Sequence, residues 1–260
     1  MTTPSPFPAV SARALAKHYG DHVAVAGIDL DVQRGEFFGF LGPNGAGKTT
    51  TIKILTGLAR PTSGFALVCG HDPLRDPLAV KRRIGVLAEE VNTYERLTGR
   101  ELLAFSAAMH RIPRREVQTR IGYLLELVDL PASDAERLIV DYSLGMRKKI
   151  ALASALVHRP EVLFLDEPLS GIDPISSRTI RQALVRMTEA GVTIFFSSHV
   201  LEVVEKLCRR VALIRAGRIV AQGTIPEISA AAGTPPEAGL EEAFVRLLSP
   251  PGAATADRSR

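Results

Sequence analysis

Apolar and polar positions change period several times along this chain, and each change marks an element. Residues 10–32 are short-patterned and strand-like. Ile28, Leu30 and Val32 alternate there with Asp29 and Asp31, as a half-buried antiparallel strand requires. Gln33-Arg34-Gly35-Glu36 reads as a turn feeding the apolar run 37–41. A helix is expected from Lys48 to about Ala59, stopping before Pro61. Residues 65–69 and 84–87 read as short strands. Between them, 71–83 are polar and end in Lys81-Arg82-Arg83, a solvated face.

Helical spacing then takes over. Leu102, Leu103, Phe105 and Ala108, then Ile121, Leu124, Leu125, Leu127 and Val128, recur at helical intervals punctuated by Pro113 and Pro131. A further helix is expected from Arg147 to about His158. The continuous apolar runs 162–165 and 192–196 predict strands buried on both faces, with a helix from the 170–174 turn to about Gly191 between them. A helix over 201–208 and a closing hairpin around Ala216-Gly217 follow. After Pro226 the chain is rich in Ala, Gly and Pro, with one amphipathic piece at 240–248 and a disordered-looking end. Residues 1–9 are proline-rich and read as loose. There is no internal repeat.

Composition narrows the classes. The chain has 260 residues, 46% of them hydrophobic, enough for a sizeable core. A net charge of +4 permits an anionic partner without demanding nucleic acid. Cys69 and Cys208 offer no metal spacing and suit a reducing compartment. No apolar run approaches the ~18 residues of a membrane span, and the start lacks the parts of a signal peptide. The expectation is a cytoplasmic chain whose membrane role, if any, runs through a partner.

Chemistry enters at Gly42-Pro43-Asn44-Gly45-Ala46-Gly47-Lys48-Thr49-Thr50, which fits G-x-x-x-x-G-K-[ST] between a strand and a helix. Backbone N–H groups of such a loop converge on phosphate oxygens. Lys48 supplies charge for the β/γ-phosphates, and the Thr49 hydroxyl can ligate Mg²⁺. The following helix points its positive end at the same anion. Asp166 and Glu167 close the buried run 162–165, a costly pair unless it has work to do. Asp166 can hold Mg²⁺ and Glu167 can polarise an attacking water. His199 follows the next buried strand at its carboxyl end, as a structural histidine or a hydrogen-bonding phosphate sensor. Tyr19, in a hairpin turn, can stack on a base or pack the hairpin. Glu89 lies at a strand's carboxyl end, facing ligand or solvent. Ser143 is a helix N-cap and, with Gly145, a second possible anion site.

The order of these features over roughly residues 10–225 resembles the nucleotide-binding subunit of an ATP-binding cassette (ABC) transporter. Tyr19 matches that family's base-stacking aromatic and residues 42–50 its Walker A loop. Residues 163–167 match Walker B with the catalytic glutamate, 170–173 the D-loop, and His199 the switch histidine. Two positions depart. Glu89 stands where the family has a Q-loop glutamine, and YSLGM replaces the LSGGQ signature while keeping Ser143 and Gly145, its two γ-phosphate contacts. The YSxGM form, the acidic Q-loop and the segment LEEAFVRLL are similar to ATPase subunits of ABC-2-type exporters.

The resemblance implies an α/β fold: a P-loop NTPase (RecA-like) core, an antiparallel β subdomain and an inserted α-helical subdomain at about 90–158. Residues 1–9 and 226–260 would flank the ATPase domain. It implies Glu167, His199 and Lys48 in catalysis, and ATP held by Tyr19, residues 42–50, Glu89, Ser143, Gly145 and Asp173. Mg²⁺ would be held by Thr49, Asp166 and Glu89. Two copies, or this chain and a homologous cassette, would face each other head to tail. Each ATP would lie between the Walker A loop of one and Ser143/Gly145 of the other. Glu89 and the helical insert would pass that motion to an integral membrane permease, placing the chain peripherally on the cytoplasmic face of the membrane. No nucleic acid is expected. The alternative is a soluble ABC ATPase acting on ribosomes or DNA, against which the single cassette and the short insert 90–141 count. A cassette that binds ATP without turnover is opposed by Glu167 and His199.

Overall fold

The computed structural model describes residues 7–235 and 239–248. The looseness expected of residues 1–6 and the end beyond residue 248 lie outside them. Ala9 is already fully buried, its N–H bonded to Val32 O at 2.8 Å.

The chain opens with strands β1 (Val10–Tyr19) and β2 (His22–Val32), then β3 (Phe37–Leu41), helix α1 (Lys48–Leu55) and β4 (Ser63–Val68). Next come α2 (Pro77–Lys81), β5 (Ile84–Leu87) and the helical insert, α3 (Gly99–Met109), α4 (Arg114–Leu127), α5 (Ala132–Ala135) and α6 (Leu144–Leu156). The second half alternates β6 (Val162–Asp166), α7 (Pro174–Glu189), β7 (Thr193–Ser198), α8 (Leu201–Leu207), β8 (Arg210–Arg215) and β9 (Arg218–Thr224). It ends in α9 (Ile225–Ala232) and α10 (Gly239–Leu248).

Two sheets form. One is antiparallel with order β2-β1-β4. The other has order β5-β6-β7-β3-β8-β9, parallel throughout except for β9, which runs antiparallel to β8. The core sheet, antiparallel sheet and helical insert expected from the sequence are all present.

β3 shows why the parallel strands read as unbroken apolar runs. Phe37 and Leu41 face a core shared with the helical insert and α7, while Phe38 and Phe40 face one shared with the small sheet and α1. Both faces are covered, so alternation disappears. Phe38, Phe40, Phe164 and Phe195 are fully buried in the second core, each stabilising by about 2–3 kcal/mol. On β2 only one face is covered, and the alternation expected there holds: Ile28, Leu30 and Val32 are buried.

Some bounds differ from the sequence reading. α1 ends at Leu55, short of Ala59, and α6 begins at Leu144 because Ser143 caps it. α2 and α9 were not expected. α2 starts behind Asp76 with Pro77 at its first turn, and α9 has a capping box of Thr224 and Glu227. α10 forms over the amphipathic piece of the tail and packs Leu240 and Ala243 against its neighbours α8 and α9. Register aligns the strand ends that matter: Leu41 of β3 pairs Ser198 of β7, and Asp166 of β6 pairs Ser197.

Candidate functional site

That alignment brings the loop after β3, the acids at the carboxyl end of β6 and the histidine after β7 to one edge of the sheet, where ligands of open α/β sheets bind. The loop turns into α1 at Gly47, whose φ of 106° lies in the region that favours glycine. No side chain caps α1, so its first N–H groups stay available to an anion. Lys48 is only 6% exposed. Its Nζ donates to Gly42 O at 2.7 Å and Pro43 O at 3.3 Å and lies 3.2 Å from Glu167 Oε1. A buried ammonium needs such partners, and phosphate oxygens can take their place.

Asp166 is 3% exposed, and its Oδ1 accepts from Ser197 Oγ at 2.6 Å. The same Ser197 Oγ accepts the Glu167 N–H at 3.1 Å. Glu167 has a φ of 45°, a left-handed conformation costing of order 1–3 kcal/mol in a non-glycine residue. Its Oε2 lies 3.0 Å from His199 Nδ1. Its Oε1 is buried and ion-paired with Lys48 yet accepts no hydrogen bond. A buried carboxylate oxygen left so needs a further partner.

The cavity at this edge measures about 250 Å³ and is lined by residues 43–50, Glu89, Glu167, His22 and Ala24. Asp166 sits behind that lining, and Glu89 is exposed at its rim. Thr49, Asp166 and Glu89 are hard oxygen donors, and Glu167 Oε1, buried without a hydrogen bond, adds an acceptor still open to a partner such as a metal-bound water. Such a set fits Mg²⁺, which keeps few protein ligands and shares substrate phosphate oxygens. Among the described residues no three His, Cys, Asp or Glu side chains form a metal cage of their own. Tyr19 pairs with His22 across the hairpin and stands beside the lining, 49% exposed, with Lys17 Nζ 4.8 Å from its ring centroid.

Ser143, Gly145 and Asp173 are brought together elsewhere and do not line the cavity. Ser143 is exposed, and its Oγ accepts the Met146 N–H at 3.2 Å as N-cap of α6. Gly145 packs so tightly on α7 that a Cβ there would collide with Ser176 Oγ. Asp173 caps α7 by accepting the Ser176 N–H at 2.9 Å. Hydrogen bonds from the Ser176 backbone and then its side chain hold the Asp173 carboxyl below the usual carboxylate range.

Two features escaped the sequence reading. Lys148 of α6 is 2% exposed, and its Nζ donates to Glu167 O at 3.1 Å and Ser170 O at 2.7 Å. Burial lowers its pKa, an effect opposed by the charges of Glu89 and Glu167. In the sequence it is the middle of Arg147-Lys148-Lys149, indistinguishable from a solvated run. The second is a groove of about 980 Å³ between the β5 edge and the helical insert, bordered by the exposed apolar side chains of Leu58, Leu78, Tyr94, Phe105 and Met109. His110 and His158 stack in it with centroids 3.7 Å apart, and His158 Nε2 lies 2.9 Å from Ile84 O. Burial, with a contribution from His110, pushes the His158 pKa down to about 4.

Residues 25–170 match the model of a family described as ABC transporter. An uncharacterised ABC transporter ATP-binding protein of Nostoc sp. is 44% identical over 207 residues, covering 79% of this chain and 61% of that protein. The daunorubicin resistance ATP-binding protein DrrA3 of Streptomyces coeruleorubidus is 39% identical over 225 residues, 86% of this chain and 71% of that protein. A solved structure of the ATP-binding subunit of an ABC transporter superposes with a TM-score of 0.86 at 28% identity, covering 92% of this chain and 99% of that one.

Proposed function

The chain belongs to the ABC transporter family, and from that premise we propose that it is the ATP-hydrolysing subunit of an ABC-2-type exporter, working as half of a nucleotide sandwich. The observation that carries this reading is that Lys48 and Glu167 line one cavity of about 250 Å³, with His199 held on Glu167 from outside the lining, while Ser143 and Gly145 do not reach it. A single chain thus presents a loop for phosphates and, separately, an exposed helix start for someone else's. A second copy or a homologous cassette, set head to tail, brings the two together.

In that closed state Lys48 and the 42–50 loop hold the β- and γ-phosphates, and Tyr19 stacks on the base. Thr49, Asp166 and Glu89 hold Mg²⁺, which when bound supplies charge neutralisation at the phosphates. Glu167 takes a proton from a water whose oxygen attacks the γ-phosphorus. The bond to the bridging oxygen of ADP breaks, giving ADP and inorganic phosphate. His199, half-exposed and already on Glu167, steadies that carboxylate and reads the γ-phosphate. Because the γ-phosphate touches both halves only when they are closed, binding favours closure and hydrolysis releases it.

The apolar-rimmed groove beside Glu89 and Glu90 suits a cytoplasmic segment of a membrane permease. No helix among the described residues is long and apolar enough to cross a membrane, so the spanning part is assigned to that partner, with this chain peripheral on the cytoplasmic face. Similarity to a Nod factor export ATP-binding protein of Cupriavidus metallidurans, 39% identical over 83% of this chain, supports export. Affinity purification of the tagged chain from detergent-solubilised membranes tests this directly. A stoichiometric multi-span protein is expected; recovery only with ribosomes or nucleic acid would replace the transporter reading with a soluble ATPase.

A further inference from the structure

We propose that Lys148 is a positioning residue that locks the Glu167–Ser170 turn to the N-terminal end of α6, so that the carboxylate of one site follows the nucleotide clamped against α6 by the partner copy. The inference rests on the nucleotide-sandwich reading above and adds a residue to it.

The geometry is specific. The backbone of Glu167 is pinned on both sides: its N–H by Ser197 Oγ of β7 and its C=O by Lys148 Nζ of α6. Its left-handed φ of 45° is a conformation that persists only where the surroundings over-determine it. Lys148 also holds Ser170 O, so both ends of that short turn hang from one ammonium. A second link runs in parallel, Gly145 against Ser176 and Asp173. The next residue, Lys149, reaches the other way, to Asp129 O at 2.9 Å after α4. Adjacent lysines therefore tie α6 to the loop bearing Glu167 on one side and to the end of α4, within the helical insert, on the other. When Ser143 and Gly145 at the start of α6 shift onto a partner's phosphate, the loop with Glu167 shifts with them. An ammonium suits this task because it satisfies a buried and a half-buried carbonyl at once, with more strength than a neutral donor.

The test is steady-state ATP hydrolysis by the purified full chain and its K148M variant, with ATP affinity measured by calorimetry in the non-hydrolysing E167Q background. Methionine keeps the length and loses the donors. Turnover is expected to fall about 10- to 100-fold, the scale of a misplaced catalytic group, with cooperativity in ATP lost and ATP affinity unchanged. K148R, which keeps the donors, should recover most of the turnover. Wild-type turnover and cooperativity in K148M overturn the proposal. So does a fall in turnover matched by equal losses of affinity and melting temperature, which marks a role in folding alone. If K148M does not fold, K148Q is read by the same split between turnover and affinity. A wild-type chain that hydrolyses no ATP sinks the sandwich reading and this one with it; an active wild type with an indifferent Lys148 sinks this one only.

Discussion

Two helix starts in this molecule, those of α1 and α6, are completed differently. α1 begins behind a left-handed glycine with no side-chain cap, inside a cavity that already holds a buried lysine and a glutamate. α6 begins behind Ser143, which caps it conventionally, on an exposed surface outside that cavity. The first keeps its N–H groups free and supplies countercharge in the same chain. The second satisfies one N–H internally and faces solvent. The lesson is that a helix dipole alone does not make a site; enclosure and a buried partner charge do. Under the sandwich proposal, what α6 lacks comes from another molecule.

The largest expected effect breaks the α1 side. Glu167→Gln should retain ATP binding, lose turnover by about 10²- to 10⁴-fold as expected for a general base, and accumulate an ATP-bound dimer on size-exclusion chromatography. Normal steady-state hydrolysis would falsify the base assignment. Lys48→Ala should weaken ATP binding by about 10- to 100-fold, the worth of a charge-assisted hydrogen bond. Calorimetry returning the wild-type affinity would remove Lys48 from the phosphate site.

The α6 side is sharpened by Ser143→Asp in the Glu167→Gln background. Aspartate caps a helix as well as serine, so the melting temperature should hold. Its charge should nevertheless repel the partner's γ-phosphate and abolish the ATP-dependent dimer, while a single chain still binds ATP. A dimer that forms normally would mean that α6 never meets a phosphate. Serine to alanine is milder, losing about 1 kcal/mol of cap energy and part of the dimer.

The smallest effect lies in the groove. His158 is held neutral by burial, its pKa lowered from 6.5 to about 4. Between those values the unfolded chain binds the proton more readily than the native one. Stability from this group is therefore complete above pH 6.5 and is lost as the pH falls toward about 4. His158→Gln should flatten that part of the melting-temperature profile. An unchanged acid slope would show that other groups govern it.

Much of the site was legible because its chemistry is local. The 42–50 loop needs consecutive residues in fixed backbone conformations, and the motif states them in order. Asp166-Glu167 and His199 could be placed by the apolar runs that precede them. The missed helices also left local marks: Asp76 before Pro77, and Thr224 with Pro226 and Glu227. Lys148 left none. Its sequence neighbours are basic, and nothing in Arg147-Lys148-Lys149 says which of the three goes inside.

The sequence by itself determined the parallel core, the phosphate loop, the acids at the end of β6 and the helical nature of the insert, because period and motif are written in neighbouring residues. Tertiary structure alone decided that Lys48 meets Glu167 across 119 positions of chain. It alone left Glu167 Oε1 without a hydrogen bond, set Ser143 outside the cavity, and hung the Glu167 turn from Lys148. Those outcomes depend on how the sheet stacks strand ends and where α6 packs against them, and no short stretch of chain contains either.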